Sequence, residues 1–300
     1  MERKLKDLKR QFYKELKIDE SMSVLEQECH YKNDTNPIDC DVSELAMEVY
    51  ESSYHFLSGG EISLQKEGVD SYHLYQIKAK DGLVYGGDTM NSYATAIHEY
   101  LRLFGNDGSK KKLVVDGKSK KLCFPKPQYK TWEDYILENL EDVEDTLGED
   151  GILYISVRHS IGNMIPVPLK CFNAPRYPRT KDFWDLTLLC LYQWYQSHEE
   201  VERRDDIYLV QLVGEANVME TKSWLKHFPM WSDFVVMNYM EPFVEEGKPK
   251  MFWEGHSLEK IMPETKEEFQ NFFKNAVFGI RERERLLIER VKINFHRQRL

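Results

Sequence analysis

Apolar positions along this chain switch between a helical spacing and an alternating one, and each switch marks an element. The opening MERKLKDLKRQFYKELK places Leu5, Leu8, Phe12 and Leu16 on one helical face. Seven basic and three acidic residues cover the rest, which suits a solvated helix docked by its leucine stripe, or one that meets a membrane surface or a partner. Residues 18–43 are polar and without period, as a loop is. SELAMEVYESSYHFL predicts a helix with Ser43 as N-cap and Gly59-Gly60 as its stop. SYHLYQIKA alternates as a strand does, KDG supplies a turn, and LVYGG is a short further strand. Asp88 then stands where it would cap a helix that ends at Gly105.

Residues 107–124 predict a hairpin around Asp116-Gly117. TWEDYILENLEDVEDTLGED carries a helical stripe of Ile136, Leu140, Val143 and Leu147, with Thr131 and Asp134 resembling a capping box. GILYISV reads as a strand, RHSIGN as its connection and MIPVPL as a partner strand. Pro166 and Pro168 cannot donate to a ladder, so MIPVPL belongs at a sheet edge. In RYPRTKDFWDLTLLCLYQWY nearly every face is apolar from Phe183 onward, which predicts a buried central helix with Thr180 as its cap. HEEVERRDD is a charged loop; His198 and Glu202 have helical ligand spacing, yet a solvated turn explains them. The last third reads as helices, broken at Pro229 and ending in a long amphipathic one lined by Phe269, Phe272, Phe273, Ala276, Ile280, Leu287 and Val291. There is no internal repeat and no Pro- or Ser-rich linker. The expected architecture is one α+β domain over 1–300 with a mixed or antiparallel sheet. Residues 1–60 form its helical N-terminal extension, 107–130 a basic hairpin insertion and 264–298 the long C-terminal helix.

Charge and chemistry adjust this picture in a few places. A chain of 300 residues hides roughly three quarters of its unfolded surface, so it needs no metal or disulfide staple. The net charge of −10 argues against global attraction to nucleic acid or anionic membrane. No apolar run approaches the roughly 20 residues of a membrane span, and the N-terminus lacks the apolar centre of a signal peptide. Five cysteines with no CxxC pair predict reduced thiols and a cytoplasmic protein. Cys29, His30 and Cys40 lack a second Cys/His pair, so no metal site and no cofactor is expected.

Between Lys110 and Lys130 stand eight lysines and one acid, Asp116. Lys110, Lys111, Lys112, Lys118, Lys120 and Lys121 are the one local patch suited to nucleic acid or an acidic partner. The helix that follows carries nine acids, which would neutralise that patch, and exposed lysines also protect an edge strand. GxGxxG, GxxxxGK[ST], HExxH and GxSxG are all absent. Arg290 and His296 have the R-x(4–6)-H spacing of helical ribonucleases. With 14 arginines and 9 histidines in 300 residues, about one such pair arises by chance, and Val291 stands where a polar residue is expected.

Five stretches occur together in order: GDTMNSY (87–93), IGNMIPVPL (161–169), NAPR (173–176), KDFWDLTLLCLYQWY (181–195) and WLKHFPMWSDFVVMNYMEPFV (224–244). As a set they resemble an uncharacterised family of bacterial and phage-associated proteins, over roughly residues 70 to 290. The resemblance implies a bacterial or phage cytosol and no particular reaction. It also groups Asp88, Asn91, Ser92, Asn163, Asn173, Arg176, Asp182 and Asp185. Asn and Asp are common where a turn needs a side chain bonded to backbone, and Asn163 after Gly162 fits that role. Acids in a first helical turn stabilise its positive end, and Arg176, Arg179 and Lys181 stand ready to pair with Asp182 and Asp185.

The alternative is a site. A helix start near Thr180 with Arg158, His159, Arg176 and Arg179 close by would hold an anion, and Asp88, Asn91 and Ser92 would orient it. The expectation is a binding or interaction protein, of a kind suited to a defence-related role. A polar cleft would accept a phosphate-bearing ligand or meet a protein partner. The second expectation is an enzyme acting on a nucleotide or nucleic acid, such as a toxin-like nuclease. Asp182 and Asp185 would then serve acid–base chemistry or bind Mg. Oligomeric state stays open.

Overall fold

The computed structural model describes residues 23–26, 29, 44–66, 73–91, 93–105, 114–116, 119–121, 132–158, 160–173, 176, 183–198, 200 and 203–297. Helix α1 (Glu44–Ser53) buries Ala46, Met47 and Tyr50 and runs into a 3₁₀ turn, His55–Leu57. Strands β1 (Glu61–Lys66), β2 (His73–Lys78) and β3 (Val84–Thr89) follow. Next come helix α2 (Tyr93–Phe104) and a small hairpin, β4 (Val114–Asp116) with β5 (Ser119–Lys121). Helices α3 (Trp132–Glu138) and α4 (Leu140–Ser156) lead to β6 (Met164–Pro168). A π-helical turn (Leu169–Asn173) then precedes the central helix α5 (Trp184–Ser197). Short helices α6 (Ile207–Val213), α7 (Val218–Leu225) and α8 (Trp231–Met237) follow, then a two-residue ribbon of β7 (Val244–Glu245) and β8 (Lys248–Pro249). Helix α9 (Lys266–Arg297) is the last element.

The main sheet has the order β1-β2-β3-β6 and is antiparallel throughout, so the fold is α+β. β6 takes an edge, as its two prolines require, and pairs with β3 in the register Gly86↔Val167 and Asp88↔Ile165. All five β6 residues are buried, and α9 packs against the Ile161–Asn163 turn that leads into the strand. Arg283 of α9 donates from Nη1 to the carbonyls of Gly162 (2.9 Å) and Met164 (2.7 Å). The central helix is enclosed on nearly every side: Trp184, Leu186, Leu188, Leu191 and Trp194 are all fully buried within one continuous apolar cluster. No helix among the described residues is long and apolar enough to cross a membrane.

Several expectations need correction. GILYISV is not a strand; it completes α4. Leu147, Gly151, Tyr154 and Ile155 are buried at the i, i+4, i+7, i+8 spacing of a helix face, while Ser156 is exposed. Tyr154 packs on Phe272 and Phe273 of α9, with ring centroids 5.0 and 5.2 Å apart. A seven-residue apolar run carries too little periodicity to separate strand from helix. The partner of MIPVPL is accordingly β3. Asp88 is not a helix cap but a strand residue in β3. The N-cap of α5 is Phe183, not Thr180. Strand β1 and helix α6 were not predicted at all; EISLQK is too polar and IYLVQLV too short to declare a period. Ser43, Thr131, Glu202, the segment 1–17 and most of the lysine-rich insertion lie outside the described residues.

Candidate functional site

Arg176 is the centre of the expected cluster, and it is fully buried. Its Nη2 donates to Asp88 Oδ2 at 2.6 Å and to the Thr89 carbonyl at 3.3 Å, and Nη1 donates to Thr187 Oγ1 at 3.1 Å. The guanidinium lies over the Trp184 ring, 5.0 Å from its centroid, with Phe172 at 5.9 Å. Strand β3 thus presents Asp88, helix α5 presents Thr187 and Trp184, and the arginine ties them. The side chains of the ion pair are 0% and 4% exposed. A guanidinium this enclosed persists because a carboxylate and hydrogen bonds meet it.

Asn91 and Asn163 form the second joint. The Asn91 N–H donates to Asn163 Oδ1 and Asn163 Nδ2 donates back to the Asn91 carbonyl, each at 3.0 Å. Asn163 Nδ2 also donates to the Arg158 carbonyl (2.9 Å), and the Met90 N–H donates to the Asn163 carbonyl (2.7 Å). Asn91 Oδ1 accepts from the Trp184 N–H at 3.1 Å, so the first turn of α5 is capped from another segment of chain. Arg158 is buried nearby, and burial pushes its guanidinium down to about 9, which leaves it cationic at neutral pH.

Asp185 turns elsewhere. It does not pair with Arg176, as the charge pattern had suggested, but with a histidine that the sequence did not single out. Asp185 Oδ2 meets His256 Nδ1 at 2.5 Å and accepts from the Phe252 N–H at 2.9 Å, while Oδ1 accepts from the Leu186 N–H. Both side chains are 0% exposed. The His256 ring stacks on Trp253, with centroids 3.4 Å apart. A carboxylate on Nδ1 fixes the tautomer and makes Nε2 the basic nitrogen. That Nε2 is buried and has no hydrogen-bond partner among the described residues.

The structure therefore brings Asp88, Asn91, Arg158, Asn163 and Arg176 into one buried joint at the start of α5, with Asp185 in the first turn of that helix but turned to other partners. Asn173 ends the π-helical turn and is described as a backbone position only, as are Lys120 and Lys121 in β5. Ser92, His159, Arg179, Thr180, Lys181, Asp182, Lys110, Lys111, Lys112 and Lys118 lie outside the described residues. Three participants were missed: Thr187, His256 and Arg283. Arg283 is fully buried; besides the two carbonyls named above it donates to those of Asn238 (3.2 Å) and Ile161 (3.4 Å) and to Tyr54 Oη (2.6 Å). Only an arginine inside the apolar stripe of α9 hinted at this, since a cation on a core face must find oxygen.

The chemistry these groups can perform is limited by their enclosure. Cys29, Cys171 and Cys190 are free and buried. Burial pushes their thiols up to about 12, 11 and 12, so they stay protonated and unreactive. Among the described residues no group of three His, Cys, Asp or Glu side chains is arranged to hold a metal ion. The surface carries two other features: a shallow groove of about 280 Å³ between α4 and α9, and five exposed apolar side chains along α6 to α8. No family model, no curated protein and no solved structure matches the chain.

Proposed function

We propose that this chain is a binding or interaction protein that performs no reaction of its own. The observation that supports it most directly is the distribution of exposed apolar side chains. Of the seven large ones among the described residues, Ile207, Val210, Met219, Met230 and Val236 all fall within residues 207–236. Exposed apolar side chains on consecutive short helices would suit a surface that meets a protein partner. Of the charged groups expected to form a site, Arg176 and Asp88 are, by contrast, committed to each other. A phosphate-bearing ligand at Arg176 would have to displace Asp88 from a 2.6 Å contact inside the core. Retained nucleotide and RNA binding by folded Arg158→Ala and Arg176→Ala proteins would remove that cleft from the reading. The expected setting, a bacterial or phage cytosol with a defence-related role among those it suits, is carried by the sequence resemblance alone.

One observation favours the enzyme alternative: Asp185 orients His256 as a base is oriented, and the basic Nε2 has no partner among the described residues. Incubation of the purified protein with labelled RNA, single-stranded DNA and nucleotides, with and without Mg²⁺, separates the two. The expected result is no turnover, together with a cellular partner whose binding is lost in Ile207→Asp and Met219→Asp proteins of unchanged melting temperature. Turnover by the folded protein overturns the interaction reading.

A further inference from the structure

We infer that α9 is a self-association surface, and that a second copy of this chain docks across it in a two-fold, antiparallel arrangement centred on Phe278. This surface is separate from the one on α6 to α8 and does not depend on it.

Phe278 is 56% exposed in the middle of a helix whose opposite face fills the core. It borders the shallow groove, whose apolar floor is Val277 and Leu153, and whose rim is Asp150, Lys274, Arg281 and Glu282. The Lys250 ammonium lies 5.8 Å from the ring centroid on one side. An aromatic ring ringed by mixed charges is the form of an interface centre with a polar rim.

The order of the charges selects the occupant. Lys274 stands four residues before Phe278 and Glu282 four residues after it. When two antiparallel copies of α9 cross at Phe278, residue 274 of each faces residue 282 of the other. Each crossing therefore carries two Lys–Glu pairs, about 6 Å either side of the axis. The same operation sets Asn271 against Arg285, a neutral donor–acceptor match. The like-charge matches, Glu267 with Glu289 and Lys266 with Arg290, fall about 16 Å or more from the axis. Helices crossing at about 50° have diverged at that distance.

Within the chain these groups are held loosely. Lys274 meets Asp150 at 3.3 Å with its side chain 60% exposed, and Arg285 meets Glu282 at 2.9 Å with both partners exposed by a third or more. Exposed pairs of this kind contribute little, so exchanging them for contacts across the axis costs little. A pattern that matches itself under reversal is what an isologous contact requires of a sequence.

Sedimentation equilibrium on the full chain tests this, with melting temperature as the folding control. Wild-type protein is expected to show a reversible monomer–dimer equilibrium, and Phe278→Asp protein to stay monomeric throughout. Lys274→Glu and Glu282→Lys should each weaken the dimer about tenfold, since symmetry counts each change twice. The double variant should return to within about threefold of wild type, because the pairs re-form with reversed sign. Val236→Asp, on α8, should leave the dimer unchanged. A wild-type protein that is monomeric at every concentration overturns the inference. So does a dimer that survives Phe278→Asp, a double variant that does not recover, or a dimer lost in Val236→Asp.

Discussion

Arg176 and Asp88 show what burial does to residues that look functional in sequence. An arginine near two aspartates and a helix start has the composition of an anion site. Among the described residues its guanidinium meets a carboxylate, a hydroxyl, a carbonyl and a tryptophan face. Removing one member of such a pair leaves a buried charge uncompensated, which costs about 3–5 kcal/mol. Urea titrations should show Arg176→Ala and Asp88→Ala losing stability on that scale. The isosteric double variant Arg176→Met, Asp88→Leu should lose less than either single change. Single-variant losses below about 1 kcal/mol would mean that the pair is not a structural tie. Arg176→Lys should not rescue, because an ammonium cannot reach Asp88 and Thr187 in the fork geometry or stack on Trp184.

At the scale of elements, two glycines decide how α4 and α9 sit. Gly148 has φ of +62° and bends α4 between its acidic and apolar halves. A Cβ there would meet nothing within 4 Å, so alanine brings backbone strain alone, about 1–3 kcal/mol. Gly162 is different: a Cβ would lie 2.1 Å from the Ile280 carbonyl of α9. Thermal melts should therefore show a smaller fall for Gly148→Ala and a much larger one for Gly162→Ala, which must push α9 off the Ile161–Asn163 turn. Equal falls would mean that the close approach of α9 is not required. The same bend explains a misreading. The acidic half of α4 shows a clean helical stripe, but the apolar half is short and almost uniformly hydrophobic, so period could not identify it. β6 was legible as an edge strand because proline chemistry is local. Its partner was not, because pairing joins residues about 80 positions apart.

Across the whole molecule, a polar clasp joins the β2–β3 turn to the loop between α7 and α8. Asp81 Oδ2 accepts from Tyr85 Oη at 2.7 Å, meets His227 Nε2 at 2.9 Å, and Oδ1 accepts from the Leu83 N–H at 2.8 Å. Partial burial pushes this carboxyl up, but the bonds from Tyr85, His227 and Leu83 outweigh it and hold its pKa below the usual value of 3.8. A depressed carboxylate contributes stability that is complete above the unfolded-state value of about 4 and is lost as pH falls through the folded value. Asp81→Asn protein should thus lose stability evenly above about pH 5 and show a shallower loss below it than wild type. Parallel acid limbs would show that Asp81 does not carry the dependence. At this scale Arg283 ties α9 to the end of the sheet and to two further segments, since it gathers the carbonyls of the 161–164 stretch and of Asn238 and the hydroxyl of Tyr54.

What the chain determines by itself is the placement of its strongly periodic parts. The buried character of α5, the stripe of α9, the edge position of β6 and the α+β class all follow from patterns local enough to read. The tertiary structure decided the partners. Asp88 could meet Arg176, Asn91 could cap α5 and Asp185 could reach His256 only after strands and helices far apart in sequence had packed. The physical reason is that a charged side chain in the core is assigned by whichever oxygen or nitrogen the packing delivers, and sequence spacing carries no record of that delivery.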